Sequence, residues 1–579
     1  MMRAHWNRKR MREQYADGHH RGRVLRLALA STILFSLLEG EVGAQTVPGA
    51  GLILQQAQSV NSAARPAGMS GLAIEPENRV GMPASPPFMV NSILLTGHSL
   101  FDTATLHTLV ADGEGKNLTL TQLSEAAARI TTFYHDHGYP LARAIIPAQN
   151  IQSGTIQIQV IEARYAKIKI DNHSRVAGLL FERTLSSLHS GQPIERTKLE
   201  RAVLLASDIP GVIVSSTLKP GTSAGTSDLD VEIAAKEGVT GSVTLDDEGN
   251  RYTGRLRLGS TLNVFNPLQH GDVLSVSATT SGPDLNYLSL SYESLVSGAG
   301  TRAGGSISGL RYVLGDTLAS IDGHGKAEVG SLWLRQPLVR SVDFNIYGQA
   351  QFDHKQLNDE IDVGAIQTNR HIDSLTISLA GDSRDTLLSG AINIWNVAWV
   401  AGGRLGFDNA AAQLADSMTA RTQGKFSMLT ANASRLQQLD SQNAIYFKLS
   451  GQLASHNLDP SEKMLAGGAY SVRAYDIGAA TGDTGILGTF EYRRAFGQTW
   501  GGQAQATIFL DSERVTVNKT SWAPGDNLVT LSGLGVSCDW SGLDQWTAKA
   551  SIATPIGPTQ ALISNNKSLR VWVELDKGF

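Results

Sequence analysis

The sequence predicts a transmembrane β-barrel of about 16 antiparallel strands, preceded by two small α+β modules and a short N-terminal helix. Three features support this fold class: an export signal at the N-terminus, a repeated β-α-α-β-β pattern over residues 88–237, and many segments of period two over residues 238–579. The formal net charge of −4 over 579 residues argues against a nucleic-acid partner. The single cysteine, Cys538, excludes an internal disulfide.

Residues 1–44 predict a cleaved secretory signal peptide. A long basic segment precedes the apolar run 27–38, and the small residues Val42 and Ala44 occupy the −3 and −1 positions of the cleavage site. A buried helix or a membrane anchor is the alternative, but the apolar run is shorter than the ~18 residues that a spanning helix needs. A start at Met11 is compatible with the same signal.

The mature chain begins with a candidate helix and a linker. Residues 45–61 predict a short polar helix, with Pro48 near its first turn. Residues 62–87 are rich in Ala, Gly, Pro and Ser and show no periodicity, which predicts a linker.

Two tandem α+β modules are predicted next, over residues 88–163 and 164–237. In the first module, Asp102 is a candidate helix cap, and Thr119 with Gln122 forms a candidate capping box. A hairpin of two strands, "LARAII" and "TIQIQVIE", ends this module, and the same element order recurs in the second. A single larger α+β domain is the alternative.

Strands dominate residues 238–579. The terminal segment "LRVWVELDKGF" alternates apolar and polar side chains and ends on Phe579, and "VLSVSAT" and "NYLSLSY" alternate in the same way. One face of such strands meets lipid and the other a wet lumen, and closure removes unpaired edges. At about 20 residues per strand and loop, the even strand number of bacterial barrels gives 16. A soluble β-sandwich array or propeller explains the alternation equally well, but not the polar inner faces together with the terminal aromatic.

Several stretches together resemble one family. "YHDHGYPLARAIIPAQNIQSGTIQIQVIEARY" and "LERAVLLASDIPGVIVSSTLKPGTSAGTSDLDVEI" are similar to two polypeptide-transport-associated (POTRA) domains, and "LDDEGNRYTGRLRLGSTLNVFNPLQHGDVLSVS" is similar to the entry into the barrel. "GGAYSVRAYD" resembles the VRGY signature of the sixth extracellular loop, and "FLD" resembles its partner strand motif, FxDxG. In this order, they resemble the two-partner secretion transporters (TpsB) of the ShlB/FhaC/HecB haemolysin secretion/activation type, over nearly the whole mature chain.

The resemblance implies a contact between the sixth loop and the barrel wall. Arg473 of the loop would pair with Asp511 of the wall. The pair would either be a latch, which holds the loop in one of its conformations, or a static strut, which only stabilises the barrel. The other motif residues at the loop tip are Val472, Ala474 and Tyr475, and those on the wall are Phe509 and Glu513. Ala474 and Glu513 both depart from the family, which usually has glycine at each position. The first departure restricts the loop backbone, and the second adds a carboxylate near the pair.

Two further binding elements follow from the resemblance. The helix 45–61 would be a plug in the barrel pore, the alternative being a disordered N-terminus. The edge of the first-module hairpin would bind an unfolded chain by strand addition, unless it pairs with the neighbouring module. The candidate residues of this edge are Arg143, Ile145, Gln157 and Gln159.

The expected function is an outer-membrane pore of a Gram-negative bacterium, with its POTRA domains in the periplasm. It would export one large secreted exoprotein of the TpsA type: an adhesin, a haemolysin or a contact-dependent toxin. Outer-membrane lipid and, during biogenesis, the barrel assembly machinery are the other expected partners. A barrel insertase of the same superfamily, a passive porin and an outer-membrane enzyme are the rival functions.

No catalytic, cofactor or metal site is expected. Ser223 in "GTSAG" matches a nucleophile pattern, but a strand follows it where a helix is required. His135 and His137 lie two apart at a helix end and do not share a face.

Overall fold

The structure, a computed structural model, describes residues 47–58, 72–74, 85–151, 153–558, 562–563 and 568–579. The predicted signal peptide therefore lies outside the described residues, as does most of the predicted linker. Among the described helices, none is long and apolar enough to cross a membrane.

The N-terminal helix, α1, spans Ala50–Gln58, which is shorter than the predicted 45–61. Its start directly after Pro48 and Gly49 fits the preference of proline for helix beginnings. The predicted linker contains a short strand, β1 (Leu72–Ile74), which the sequence pattern did not reveal. β1 pairs in parallel with a strand of the second module. It is a strand because of this backbone pairing, and not because its own side chains alternate between apolar and polar.

The first module packs two helices on a mixed sheet. Asp102 caps α2, and the predicted capping box of Thr119 and Gln122 is confirmed at the start of α3. The buried face of α3 includes Ile130 and Tyr134. The elements in chain order are β2 (Phe88–Val90), β3 (Ser92–Thr96), α2 (Thr103–Thr108), β4 (Lys116–Leu118), α3 (Leu120–Asp136), β5 (Arg143–Ile145) and β6 (Thr155–Ile161).

The candidate binding edge of this module needs a correction. The sheet order is β3-β6-β5, so β6 is the central strand and only β5 lies at the edge. Gln159 is paired on both sides, with Thr96 and with Ile145. The Gln149 side chain donates to the carbonyl of Gln157 at 2.9 Å and accepts from its N–H at 2.8 Å. The prediction that Gln157 and Gln159 offer a free edge was therefore wrong, because their backbone groups are already used.

The second module repeats the element order and has its own buried core. Its sheet order is β1-β8-β9-β7. Ser223 lies in the turn between β8 and β9 and not at a strand-to-helix elbow. The elements are β7 (Arg164–Asn172), α4 (Gly178–Thr184), α5 (Arg196–Ser207), β8 (Val212–Pro220) and β9 (Thr226–Ala235).

Sixteen of the described strands close into one antiparallel barrel, as predicted. They are β10 (Val239–Asp246), β11 (Arg257–Phe265), β12 (Val273–Thr280), β13 (Leu285–Leu295), β14 (Arg302–Val313), β15 (Gly323–Arg340), β16 (Phe344–Ile361), β17 (Ile366–Asp385), β18 (Ala391–Phe407), β19 (Gly424–Gln438), β20 (Asn443–Ala454), β23 (Thr484–Thr499), β24 (Gly502–Thr516), β25 (Leu528–Gly542), β26 (Trp546–Pro555) and β27 (Arg570–Gly578). The remaining elements are α6 (Ala410–Met418), which precedes β19, and the short hairpin β21 (Met464–Ala466) and β22 (Ala480–Gly482).

The predicted alternation holds in the last strand. Val571 and Val573 are 43% and 48% exposed on the outer face, whereas Arg570 and Trp572 are buried in the lumen. The strands differ in height around the barrel: β16 and β17 have 18 and 20 residues, but β10 and β12 only 8 each. One side of the barrel therefore rises well above an apolar band of ordinary thickness.

The second module is docked beneath the barrel by arginines. The Arg340 guanidinium, buried at the end of β15, donates to both carboxylate oxygens of Asp208, at 2.7 and 2.8 Å. Arg201 of α5 donates to the carbonyl of Pro337 at 3.0 Å. A cavity of about 800 Å³ lies between this module and the barrel rim.

Candidate functional site

The sixth loop at the end of the barrel opposite the two modules, residues 455–483, folds back into the lumen. It joins β20 to β23 and contains the β21–β22 hairpin. Its tip residues Val472, Ala474 and Tyr475 are all less than 9% exposed and pack in one apolar cluster with Phe509 of the wall. The loop thus has a tertiary core of its own against β24 to β26.

Arg473 and Asp511 form a buried bidentate ion pair. Arg473 Nε donates to Asp511 Oδ2 at 2.8 Å, and Nη2 donates to Oδ1 at 2.9 Å. The backbone N–H of Arg473 donates to the same carboxylate at 3.2 Å, and Thr489 Oγ1 donates to it at 3.0 Å. Arg473 is 6% exposed and Asp511 is fully buried. The structure thus brings together the two residues that the sequence paired, in the geometry that suits a guanidinium and a carboxylate.

A second wall carboxylate, Glu491 on β23, also binds Arg473. Its Oε1 lies 2.8 Å from Arg473 Nη1, and its Oε2 accepts from Arg493 at 2.6 Å. The guanidinium carbon of Arg473 lies 3.4 Å above the ring centroid of Phe509. Arg473 is therefore held by two carboxylates and an aromatic face, and removal of Asp511 alone would not leave it without an anion.

Of the two departures from the family motif, Ala474 fits against the wall, whereas Glu513 is only partly satisfied. Ala474 does not have a positive φ, and its Cβ occupies the space in front of Gly533, where a second Cβ would lie only 2.5 Å away. A methyl group at position 474 thus fits because the wall has glycine opposite. Glu513 is buried, with one carboxylate oxygen accepting from the Ser471 hydroxyl and the other without a hydrogen-bond donor among the described residues.

The N-terminal helix α1 lies inside the barrel. Ala50, Ile53, Leu54 and Ala57 are all at most 3% exposed and belong to one apolar cluster with side chains from the barrel wall. This placement confirms the predicted plug position for the described part of the segment 45–61. The wall side chains that form the cluster with it include Leu285, Tyr287, Leu310, Leu357, Ile372 and Phe426.

Polar contacts join α1 to three separate parts of the lumen. Ala50 N donates to Asp359 Oδ1 of β16 at 2.6 Å. The Gln55 side chain donates to the carbonyl of Ser461 in the sixth loop at 2.5 Å. Asn250, in the loop after β10, donates to Gln56 Oε1 at 3.0 Å. The plug and the sixth loop are thus in direct contact, so that displacement of one exposes polar groups of the other.

Sequence reasoning missed four other ion pairs that hold the sixth loop, one of them between Arg570 and Asp476. Asp476 accepts from Arg255 at 2.9 and 3.1 Å, and Asp459 accepts from Arg370 at 2.5 Å. Glu462 lies 2.6 Å from the ammonium of Lys355. The sequence did indicate that two of the wall partners face the lumen. Lys355 and Arg370 lie inside long strands, and a charged side chain there destabilises the barrel if it faces lipid. Their partners could not be assigned, because no motif specifies them.

Comparisons with known proteins agree with this geometry. Residues 225–538, more than half of the chain, match the profile of the haemolysin secretion/activation protein ShlB/FhaC/HecB family. The chain belongs to the ShlB/FhaC/HecB family. Residues 88–163 match the ShlB-type POTRA domain. The predicted family and fold class are confirmed, and the protein is an outer-membrane transporter of two-partner secretion whose POTRA domains face the periplasm.

Curated relatives of the ShlB/FhaC/HecB family align over most of the chain. The heme/hemopexin transporter protein HuxB of Haemophilus influenzae (strain 86-028NP) is 27% identical over 470 residues, which cover 80% of this chain and 82% of HuxB. The outer membrane transporter CdiB of Escherichia coli is 25% identical over 317 residues, 52% of either chain.

Solved structures share the fold. CdiB from Escherichia coli superimposes with a TM-score of 0.72 at 19% identity, over 93% of this chain and 100% of that chain. CdiB from Acinetobacter baumannii gives a TM-score of 0.64 at 17% identity, over 92% and 100%.

Proposed function

We propose that this chain exports one large, unfolded exoprotein through its lumen, and that the structure is the closed state. The observation that carries the proposal is the position of α1: a nine-residue helix lies in the pore and is held there by four apolar side chains and a few hydrogen bonds. A contact of this size can be broken without opening the barrel, because α1 contributes no strand to it. The passage would open when α1 leaves toward the periplasm.

The pair Arg473–Asp511 is proposed to be a latch on the sixth loop. A solvated ion pair contributes ~0–1 kcal/mol, but breaking a buried one costs ~3–5 kcal/mol because a charge is left stranded. Both residues are buried, so the larger range applies to removal of Arg473, which strands Asp511, whereas removal of Asp511 costs less because Glu491 still binds Arg473. Glu491 provides an alternative anion at 2.8 Å, which would let Arg473 change partners while the loop moves. A static strut would need no second partner.

Capture of the exoprotein is proposed at strand β5 of the first module. β5 pairs on one side with β6 and forms the edge of its sheet. Arg143 and Ile145 are exposed on this strand. An extended polypeptide can add to such an edge through its backbone groups, while side chains set the preference. The rest of the earlier candidate edge, on β6, is not part of this proposal.

The exported partner is proposed to be an adhesin, a haemolysin or a contact-dependent toxin. HuxB is named a heme/hemopexin transporter, which makes a heme- or hemopexin-binding exoprotein a further possibility for the cargo. Folding of the cargo outside the cell would drive export, because no nucleotide-binding loop occurs in the sequence. The barrel assembly machinery would insert this chain into the outer membrane.

One observation favours a second candidate function, insertion of other barrels into the membrane. The ladder that closes the barrel between β10 and β27 has five residue pairs, the fewest of any barrel ladder. Mutual backbone hydrogen bonds of Gly241 and Phe579, both 2.9 Å, extend it by one pair. An insertase would open at this seam, whereas an exporter keeps it closed.

Deletion of the gene tests these functions against each other. The exporter predicts that one large polypeptide disappears from the culture medium and reappears when the gene is restored, with the other outer-membrane barrels unchanged. A general loss of outer-membrane barrels would instead support the insertase. An unchanged medium and an unchanged membrane would contradict both functions.

A further inference from the structure

The outer face of the barrel has an apolar groove with two cationic side chains at one end. The groove measures about 580 Å³ and lies over strands β10 to β15. A Cβ placed on Gly309 or Gly330 would meet no atom within 4 Å, so the wall is recessed at these two positions. The apolar side chains that line the groove are Val243, Leu258, Ala278 and Leu288.

The two cations, Arg311 and Lys326, lie directly opposite each other on β14 and β15. Both are exposed, and like charges in this position repel each other. Lys326 has Glu328 at 3.8 Å, with both side chains at least 60% exposed, and Arg311 has no ion-pair partner among the described residues. The groove lining itself carries two cations and one carboxylate, a net charge of +1 that suits an anion, while the carboxylates of Glu360 and Asp362 lie beyond the lining, beside His324.

The position of Arg311 and Lys326 along the barrel axis matches the boundary between lipid tails and headgroups. Beyond Glu328, which follows Lys326 toward the periplasm, the outward side chains on the same strands become apolar, with Ile307 and Leu332 each 66% exposed. The next strand shows the same change, from the exposed Phe352 to the polar His354. Because β14 begins at the periplasmic end, Arg311 lies at the extracellular edge of the apolar band.

We infer that a phosphate-bearing glycolipid of the outer leaflet docks in this groove. An acyl chain would lie over Gly309 and Leu288. Its contact with the groove would bury apolar surface of both the acyl chain and the barrel wall. The phosphate would bridge Arg311 and Lys326, since a guanidinium binds phosphate through two parallel hydrogen bonds and an ammonium adds a point charge. A bound anion also removes the repulsion between the two cations. This inference depends on the location in the outer membrane and not on export.

The test is native mass spectrometry of the full-length protein in nanodiscs, with bisphosphoryl lipid A as the probe. We expect the double variant Arg311→Gln/Lys326→Gln to bind lipid A at least ~10-fold more weakly, as expected for the loss of two charge-assisted contacts. Gly309→Leu, which fills the groove and keeps both cations, should also weaken binding. Arg514→Gln is the matched control, because Arg514 is an exposed arginine opposite the uncharged Ile486 and Thr530.

Three comparisons decide the outcome. Equal binding by the double variant and by the Arg514→Gln control would overturn the inference. Equal binding of dephosphorylated lipid A would show a purely apolar contact, and competition by inorganic phosphate alone would show an anion site without a lipid, so either result would also overturn it. Heat-modifiable migration of each variant establishes that its barrel is folded, and Gly309→Leu tests the groove even if the cation variant fails to fold.

Discussion

The carboxylate of Asp359 in the barrel wall caps the first turn of the helix that fills the barrel, at 2.6 Å from the backbone nitrogen of Ala50. The same carboxylate accepts from the Tyr312 hydroxyl at 2.6 Å and from Arg370 Nη1 at 2.6 Å. The plug is thus held by the Asp359 carboxylate, which hydrogen bonds from Tyr312 and Arg370 keep in place. The dipole of the helix also favours an anion at its N-terminus.

Asp359→Asn should therefore loosen the plug, while Arg370, which loses this carboxylate, keeps Asp459 as its anion. Loss of a charged cap costs ~1 kcal/mol, so the open fraction of the pore should rise by roughly fivefold. Single-channel recording in planar bilayers measures this fraction. Asp353→Asn is the control, because Asp353 lies on the same strand but accepts from Ser331 and Gln351. Equal opening of both variants would show that Asp359 does not retain the helix.

The latch should respond to charge reversal in a way that depends on Glu491. Arg473→Asp and Asp511→Arg should each abolish secretion, because each brings like charges together in a buried site, at ~3–5 kcal/mol. In the double variant, the carboxylate introduced at position 473 still lies against Glu491, so we expect partial recovery only in the triple variant that adds Glu491→Gln. Secreted protein in the medium is the readout. If the triple variant secretes no more than the single ones, direct pairing is not what the pore requires.

Glu162 should make the first module sensitive to acid. Burial by itself would raise the pKa of Glu162, but hydrogen bonds from Ser99, Leu100 and Tyr134 outweigh it and hold the pKa below its ordinary value. The stabilisation is thus complete at neutral pH and is lost as the pH falls through the lowered pKa. The protection factors of the Ser99 and Leu100 amides, which compare their exchange with that of an unstructured peptide at the same pH, should fall over that range. Glu162→Gln should give low protection factors at all pH values, whereas Glu125→Gln, at an exposed position, should behave as wild type.

Asp208→Ala should release the second module from the barrel rim. It removes the bidentate partner of the buried Arg340, at a cost below the ~3–5 kcal/mol of a fully buried pair, because Asp208 is 30% exposed and Arg340 keeps the Asn345 and Ser341 oxygens. Spin labels on the module and the rim, in a Cys538→Ser background, should give a broader distance distribution and lower secretion. Asp171→Asn is the control, since exposed pairs contribute little. An unchanged distribution for Asp208→Ala would show that other contacts fix the module.

The local chemistry of the sequence was sufficient for many elements. The cap at Asp102, the capping box at Thr119 and the alternation of the last strand were predictable, because each depends on residues a few positions apart. The strand count followed from chain length and closure. The central position of β6 was not predictable, because a hairpin pattern does not say which strand a distant segment will join.

The sequence by itself predicted that this chain is exported and that its C-terminal part closes into a barrel, whereas the pairing of Arg473 with Asp511 was implied only by the resemblance to the family. Only the tertiary structure decided that Glu491 shares the arginine, that Asp359 holds the plug, and that Arg311 faces Lys326 on the outer wall. The physical reason is distance along the chain: periodicity and caps act between near neighbours, whereas the partner of a buried charge is chosen by how strands align around the barrel.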